Sequence, residues 1–355
     1  MADRSTIEWT NATWNPIRGC SRVSQGCVNC YAEVMAARFN GPGQWGEGLA
    51  EIVTRPDGSK DHRWTGTLVQ APEATLLAPL RWRRPRRIFV NSTSDLFHEA
   101  VPDDWIDHTF AVMALAPQHT FQILTKRPER MRAYFASRTD GDPWAEACDH
   151  IADLRQMAEH PAILEPTDMP LPNVWLGTSA EDQAAADARI PHLLATPAAV
   201  RFVSVEPMLG PVDLTLIPGR EVAPGITHGM NALTGIDGDG AVGPRLDWVI
   251  CGGESGPGAR PMHPDWARAL RDQCAGARVP FFFKQWGAWG PCDHLDEEID
   301  GAMFGCFDDA GRWVHPVDQA WASQDRQIMY RLGKSRAGRT LDGRTCNQMP
   351  GDADA

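Results

Sequence analysis

Short runs of β-branched and aromatic residues recur along the chain, and polar residues follow each of them. Continuous apolar runs of this length are typical of parallel strands that are buried on both faces. A first strand is predicted near Thr13–Gly19. The later runs are Arg87–Asn91, Thr120–Leu124, Asn173–Leu176, Val200–Val205, Leu246–Cys251 and Val279–Phe283.

Helix-like stretches lie between these runs. They are predicted at Tyr31–Phe39, Asp103–Leu115, Pro128–Ser137, Ala145–Glu159, Glu181–Leu194 and Pro264–Ala277. The strand–helix alternation repeats about seven times, so the pattern predicts an α/β fold, a full or partial (β/α) barrel of about six to seven βα units.

Two insertions interrupt the predicted barrel. Residues 40–80 are rich in Gly, Asp and Trp, and residues 212–245 are rich in Gly, so both are predicted as loops or small excursions. The barrel with its insertions is predicted to span residues 1–286. Residues 287–355 are predicted to form an irregular C-terminal cover that packs on the barrel.

The overall charge argues against general polyanion binding. Asp and Glu number 46 and Lys and Arg 34, which gives a net charge of −12. Nucleic-acid binding would therefore need a local patch, and one candidate surrounds Trp82. The alternative for this segment is a solvated turn. The patch consists of Arg81, Arg83, Arg84, Arg86 and Arg87.

The distribution of cysteines and the hydropathy of the chain indicate the cellular location that we expect. The nine cysteines are unevenly spread, which favours a ligand cluster plus core thiols over a secreted disulfide framework. No segment approaches the roughly 20 apolar residues of a membrane helix. We therefore expect a soluble, cytoplasmic protein with no membrane partner.

The sharpest motif is Cys20-x6-Cys27-x2-Cys30, which places three thiols on one loop between the first strand and the first helix. Three thiolates can hold an iron–sulfur cluster and leave one iron open. Two alternatives remain: unrelated core cysteines, or a structural zinc site. For zinc, His98 or His108 is a conceivable fourth ligand.

Several further motifs extend this pattern along nearly the whole chain. They are WNPIRGCSRVSQGCVNCYAE, SDLFHE, ILTKRPERM, WLGTSAED, RFVSVEPMLGP, WVICGGESGPGARPM, PFFFKQWG and AGRTLDGR. In collinear order they resemble an uncharacterised three-cysteine family of phage and bacterial genomes. That family is similar to radical SAM enzymes and distantly similar to spore photoproduct lyase. The usual radical SAM spacing is Cys-x3-Cys-x2-Cys, whereas the first gap here is six residues.

The resemblance implies a [4Fe-4S] cluster on Cys20, Cys27 and Cys30 that cleaves S-adenosylmethionine, with an external electron donor. Residues at the ends of the predicted strands, where barrel enzymes place their active sites, would contact this cofactor. Alternatively, Asp95 caps a helix, Lys126 and Arg127 open a solvated helix, and Glu181 is a helix N-terminal charge. The implied cofactor contacts are Tyr31 after the last cysteine, Ser92, Ser94 and Asp95 for the amino group, Lys126 and Arg127 for the carboxylate, and Ser179 and Glu181 for the ribose.

Three residues are candidates for catalysis. Glu206 and Glu254 each follow a predicted buried strand, where a carboxylate is costly unless it binds something. They could orient substrate, pair with Arg260 or accept a proton. Cys251 could donate a hydrogen atom to a substrate radical, or it is simply a small buried residue.

Three functions follow from these features. The first is radical chemistry on a nucleic acid base or nucleotide, for lesion repair or modification. Besides the resemblance and the arginine patch, it draws on four tryptophans that are expected to be exposed for base stacking: Trp45, Trp64, Trp286 and Trp289. The second is radical modification of a peptide or small metabolite. The third is a non-catalytic binding module that is stabilised by zinc.

Overall fold

A computed structural model describes residues 5–138, 142–156, 169–223, 226–291, 303–308, 310–314 and 327–352. The strands are β1 Ala12–Trp14, β2 Ile17–Arg18, β3 Ala50–Thr54, β4 Lys60–Trp64, β5 Val69–Gln70, β6 Arg87–Val90, β7 Thr120–Thr125, β8 Val174–Ser179, β9 Val200–Val205, β10 Ile217–Ala223, β11 Ile226–Asn231, β12 Ile236–Asp237, β13 Trp248–Gly252, β14 Phe281–Gln285, β15 Trp289–Pro291, β16 Phe304–Phe307, β17 Trp313–Val314 and β18 Ile328–Arg331. The helices are α1 Tyr31–Arg38, α2 Glu73–Leu76, α3 Asp103–Ala114, α4 Pro128–Ala136, α5 Asp142–Arg155, α6 Gln183–Leu194, α7 Pro264–Ala277 and α8 Lys334–Ala337.

The main sheet has seven strands in the order β1-β6-β7-β8-β9-β13-β14, and all of them run parallel. The predicted (β/α) barrel is therefore wrong in its closure and in its repeated βα unit. The connection from β9 to β13 contains a three-stranded antiparallel sheet, β10-β11-β12, and no helix within its described residues. Strands β1 and β14 are first and last in this order and do not pair with each other.

The individual strand predictions are confirmed with shifted ends, because every predicted apolar run overlaps a strand of the main sheet. All five residues of β13 are buried, as are the last three of β6. Residues on such strands face covered surfaces on both sides, which explains why the runs lack polar alternation. The predicted first strand is divided, since β1 pairs with β6 in parallel while β2 pairs with β5 in the opposite direction.

The helix predictions are also confirmed in the described ranges, with shifted ends. The helix predicted at Ala145–Glu159 is α5, and residues 157–159 lie outside the described residues. Pro264 occupies the first turn of α7, and the His263 ring accepts a hydrogen bond from the Asp265 backbone at 3.1 Å. These two features fix the start of that helix.

The chain divides into two compact units. Unit 1 comprises Met1–Thr178 and Arg189–Phe202, and unit 2 comprises Ser179–Ala188 and Val203–Ala355. This division does not follow the predicted boundary at residue 286. Within the described ranges, no helix has the length and apolar composition of a membrane-spanning segment.

In unit 1, the insertion at residues 40–80 contains the antiparallel hairpin β3–β4, in which Ala50 pairs with Trp64. Trp45 and Trp64 pack against a small buried cluster that includes Ala36 and Leu49. The insertion is thus a folded hairpin with its own apolar contacts.

In unit 2, the predicted irregular cover contains a four-stranded antiparallel sheet, β15-β18-β16-β17. Residues further along return to the main sheet, because Asn347 forms a β-bridge with Phe282 and the Trp248 indole donates to the Gln348 carbonyl at 2.9 Å. The C-terminal segment therefore covers β13 and β14.

Candidate functional site

The cysteine-bearing loop, residues 20–30, begins directly after β2 in unit 1. Gly19 has a left-handed φ of 91°, and a Cβ there would lie 2.1 Å from the Thr67 carbonyl oxygen, so only glycine fits. Gly19 also forms a parallel bridge with Ser94, in the segment that follows β6. The loop then makes a 3₁₀ turn at Gln25–Cys27, and Cys30 is the N-cap residue of α1.

All three cysteines of this loop are free thiols. Burial raises the pKa of Cys20 to about 12; the Asp95 charge adds to that rise and the Arg127 guanidinium opposes it. Burial also raises the pKa of Cys30. Cys20 and Cys30 interact electrostatically, as do Cys27 and Cys30. Cys30 is therefore within electrostatic range of both other cysteines of the loop.

The sulfur atoms are not arranged around a common point. Among the residues with described positions, no three Cys, His, Asp or Glu side chains form a group that could hold a metal ion. The loop fits an iron–sulfur cluster in the chemistry of its donors, because thiolates are the usual ligands of iron in such clusters. It does not present them in ligand geometry, so binding would require the thiols to reorient.

Arg127 ties the cysteine-bearing loop to the strand ends of unit 1. Its guanidinium donates to both carboxylate oxygens of Glu99 at 2.8 and 2.9 Å and to Asp95 at 3.1 Å. It also donates to the Ser21 hydroxyl at 2.8 Å and contacts the Cys20 sulfur at 3.8 Å. The side chain is only 4% exposed, so these contacts satisfy a buried cation.

Asp95 is the second hub of this network. One carboxylate oxygen accepts from the Thr125 hydroxyl at 2.6 Å and from the Phe97 backbone at 3.1 Å. The other accepts from the Lys126 backbone at 3.0 Å and from Arg127. Asp95 thus joins the segment after β6 to the end of β7.

His98 completes the network on the other side of Ser21. Its Nδ1 accepts from the Ala100 backbone at 3.1 Å, and its Nε2 lies 2.8 Å from the Ser21 hydroxyl. Burial, assisted by the Arg127 charge, lowers the pKa of His98. A neutral ring that accepts at Nδ1 carries its proton on Nε2 and donates it to Ser21. His98 is therefore adjacent to the loop, whereas His108 stacks on His150 with ring centres 4.9 Å apart.

The predicted cofactor residues of unit 1 gather at this same edge. The Tyr31 hydroxyl donates to the Ser92 carbonyl, and the Ser92 hydroxyl donates to the Asn15 side chain at 3.2 Å. The Ser94 hydroxyl donates to the Ile17 carbonyl at 2.7 Å. These hydroxyl groups hold the segment after β6 against the residues that flank the cysteine-bearing loop on both sides. Lys126 is half-buried at the end of β7.

The remaining predicted cofactor residues, Ser179 and Glu181, belong to unit 2, where both side chains are buried. Within that unit the Glu181 carbonyl accepts from the Leu209 backbone at 2.7 Å, and the Ala180 backbone donates to the Ser204 carbonyl at 3.0 Å.

Glu206 and Glu254, the candidate catalytic carboxylates of unit 2, each pair with a cation. The Lys284 ammonium contacts the two Glu206 oxygens at 2.8 and 2.9 Å. Glu254 accepts from the Arg260 guanidinium at 2.5 and 2.9 Å and from its backbone at 2.9 Å. The pairing of Glu254 with Arg260 was among the expected roles.

Cys251 is fully buried and its sulfur lies 3.7 Å from the Met208 sulfur. Burial raises its pKa well above the ordinary thiol value. These surroundings match the alternative expectation of a small core residue.

The arginine patch precedes β6, at the opposite end of that strand from the cysteine-bearing loop. Arg81, Arg83 and Arg84 are exposed, and Arg86 stacks its guanidinium on Trp82 at 4.7 Å. Arg87 is half-buried at the start of β6. The patch and the cysteines are therefore separated by the length of a strand, which is about 13 Å for four residues.

Two of the four tryptophans that were expected to stack on bases are buried. Trp286 and Trp289 are 1% and 5% exposed, so the expectation that they are exposed is wrong. Their indole groups donate instead to the carbonyls of Thr340 and Ala259.

An ion pair between the cysteine-bearing loop and α1 was not predicted from the sequence. Arg22 contacts Glu33 through three hydrogen bonds of 2.6 to 3.1 Å, and Glu33 also accepts from the Trp64 backbone at 2.7 Å. The Arg22 guanidinium donates to the His62 carbonyl at 2.6 Å as well. The feature that could have indicated this ion pair is a glutamate on the buried face of α1, because a buried carboxylate needs a partner.

A parallel α/β sheet with a cysteine-bearing loop and a buried polar network at the strand ends of unit 1 defines the class of this protein. Residues 4–350 match the family described as "Protein of unknown function (DUF5131)", and the chain belongs to that family. No curated protein and no solved structure matches the chain.

Proposed function

We propose that Cys20, Cys27 and Cys30 bind an iron–sulfur cluster and that the protein is a radical SAM enzyme. The supporting observation is the set of three free thiols on one loop, in which Cys30 interacts electrostatically with both Cys20 and Cys27, and Cys20 contacts the Arg127 guanidinium. The Arg127 charge opposes the rise that burial and Asp95 cause in the pKa of Cys20, and a cation beside a cysteine is one of the surroundings that lower a thiol pKa. When bound, such a cluster supplies an iron for chelating S-adenosylmethionine and an electron for cleaving it to a 5′-deoxyadenosyl radical.

The residues around the loop divide the work. Arg127 is fully engaged with Asp95, Glu99 and Ser21, so we assign it to holding the loop and not to the methionyl carboxylate. Lys126, at the end of β7, is the cation that we assign to that carboxylate. Asp95 positions both residues, because it accepts from the Lys126 backbone and from the Arg127 side chain.

Anaerobic purification and reconstitution with iron and sulfide test the proposal. We expect about four irons and four sulfides per chain, and 5′-deoxyadenosine after reduction with dithionite in the presence of S-adenosylmethionine. Cys30→Ala should lose the iron and the product. Cys306→Ala is the matched control, since Cys306 is a partly exposed free thiol of unit 2. Iron retained in Cys30→Ala at the wild-type level would refute the ligand assignment.

A zinc-stabilised binding module is the second candidate, and the position of His98 favours it. The ring lies on Ser21, directly beside Cys20, which makes it a reachable fourth ligand. Colourless protein with one zinc per chain, lost in both Cys30→Ala and His98→Ala, would support this module and exclude the enzyme. His108→Ala is the control for a histidine on α3.

For the substrate we propose a nucleic acid base or nucleotide, on the family resemblance and the exposed guanidinium groups of Arg81, Arg83 and Arg84. A nucleic acid that is bound at this patch must extend along the length of β6 to reach the cysteine-bearing loop. Replacing the three arginines with alanine should weaken DNA binding and flatten its salt dependence, while S-adenosylmethionine cleavage continues. Unchanged DNA affinity, with product formed from peptides or metabolites instead, would exclude the nucleic acid substrate.

A further inference from the structure

A cavity in unit 2 is lined by none of the residues of the candidate functional site. It has a volume of about 900 Å³ and opens where α7 ends and β14 begins. That volume is in the range of small-molecule sites. Its walls combine apolar residues, among them Phe281, with three arginines and two aspartates, which are Arg271, Arg278, Arg344, Asp272 and Asp342.

The charged groups of this cavity are not all paired. Arg271 donates to Asp272 at 2.8 Å and to Asp342 at 2.6 Å, which uses both carboxylates. Arg278 and Arg344 are exposed, and neither has an acidic partner among the residues that the structure describes. Two guanidinium groups with open donors therefore line one concave surface.

A thiol in the cavity wall lies within range of these charges. Burial raises the pKa of Cys346, the charges of Arg271 and Arg344 oppose the rise, and the Asp342 charge adds to it. Two guanidinium groups and one carboxylate therefore act on this wall. Because Asp342 is paired with Arg271, Arg344 is the cation at this wall that we expect to attract an anion.

The backbone fixes where the two arginines stand on the cavity wall. Arg278 ends α7 in the left-handed conformation, with a φ of 55°. Arg344 follows the two-residue Asp342–Gly343 turn, which is closed by the bridge between Leu341 and Arg344. Both arginines therefore start from defined backbone positions at the cavity.

We propose that this cavity binds a phosphate ester, held by Arg278 and Arg344, with Arg271 and its aspartates fixing the wall between them. Guanidinium groups match phosphate oxygens with paired, charge-assisted hydrogen bonds. The buried Phe281 side chain provides an apolar wall for the organic part of the ligand. The net charge of −12 makes a local cation pair the requirement for any such ligand. The proposal does not depend on the function of the cysteine-bearing loop.

Calorimetric titration with adenosine 5′-monophosphate tests this site, with adenosine as the probe that lacks only the phosphate. We expect binding of the monophosphate that weakens with added salt, and no binding of adenosine. The variant is the double substitution Arg278→Gly and Arg344→Ala, in which glycine preserves the left-handed end of α7. Its affinity should fall by at least about tenfold.

Arg245→Ala is the matched control, since Arg245 is an exposed arginine of unit 2 outside the cavity. Equal binding of both probes, absence of binding, or wild-type affinity in the double variant would overturn the proposal. A single-stranded oligonucleotide identifies the source of the phosphate. Tighter binding than the monophosphate, lost in the double variant, indicates a nucleic acid, and weaker binding indicates a free phosphate ester.

Discussion

Replacing Glu33 with alanine tests how far the hairpin β3–β4 and the cysteine-bearing loop depend on one ion pair. Glu33 is 1% exposed and accepts from Arg22 and from the Trp64 backbone. Alanine removes the closer carboxylate of the Arg22 guanidinium, which keeps a 3.4 Å contact with Asp61, and it leaves the Trp64 N–H without its acceptor. Breaking a buried pair costs about 3–5 kcal/mol. The Arg22 side chain is 29% exposed and regains some hydration, so we expect the lower end, about 3 kcal/mol.

Differential scanning calorimetry of the reduced, metal-free protein measures this loss. For a unit the size of unit 1, about 3 kcal/mol corresponds to a fall in Tm of roughly 6–12 °C. Glu51→Ala is the control, because Glu51 is exposed on β3 of the same hairpin and its replacement should change stability by less than about 0.5 kcal/mol. A Tm of Glu33→Ala within about 1 °C of wild type would show that the pair contributes nothing to stability.

Two further predictions concern stability. Lys284→Met leaves the Glu206 carboxylate, whose side chain is 19% exposed, without its cation. Urea unfolding should show that the free energy of unfolding falls by about 2 kcal/mol. Adding Glu206→Gln should recover most of this loss. If the double variant is no more stable than Lys284→Met, the pair is not the cause. Burial lowers the pKa of His119 below 6.5 in the folded state, so the folded state binds a proton less readily than the unfolded chain. The stability present above pH 6.5 is then lost as the pH falls through the lowered value. His119→Gln should flatten this decline between pH 7 and 5, and identical pH slopes for variant and wild type would contradict the assignment.

The strands were predictable because a strand that is buried on both faces has a continuous local run of apolar residues. β13 is buried at all five positions, and its sequence WVICG shows this directly. Closure of a sheet depends instead on how the first and last strands meet, which no local pattern records. The insertion at 212–245 was missed for a different reason: its many glycines suggest a loop, whereas its residues pair with near neighbours in the chain to form the antiparallel strands β10, β11 and β12.

The candidate site was predictable in its membership and not in its contacts. The thiols and the polar strand ends of unit 1 do meet at one edge, because parallel strands deliver their carboxyl ends to the same side. The sequence could not show that Arg127 reaches Ser21, 106 residues earlier, and Glu99, 28 residues earlier. Those contacts turn a predicted ligand-binding arginine into one that holds the loop.

The cysteine-bearing loop is held by two arginines of different origin. Arg127 holds Ser21 from the end of β7, and Arg22 is held by Glu33 on α1. Both anchors lie directly after Cys20, while Cys30 is fixed as the N-cap residue of α1. The segment from Val23 to Asn29 carries Cys27 and connects these fixed points. Gathering the three sulfurs around a metal therefore requires adjustment of this short segment and of side-chain torsions, while the anchors keep the loop at the strand ends.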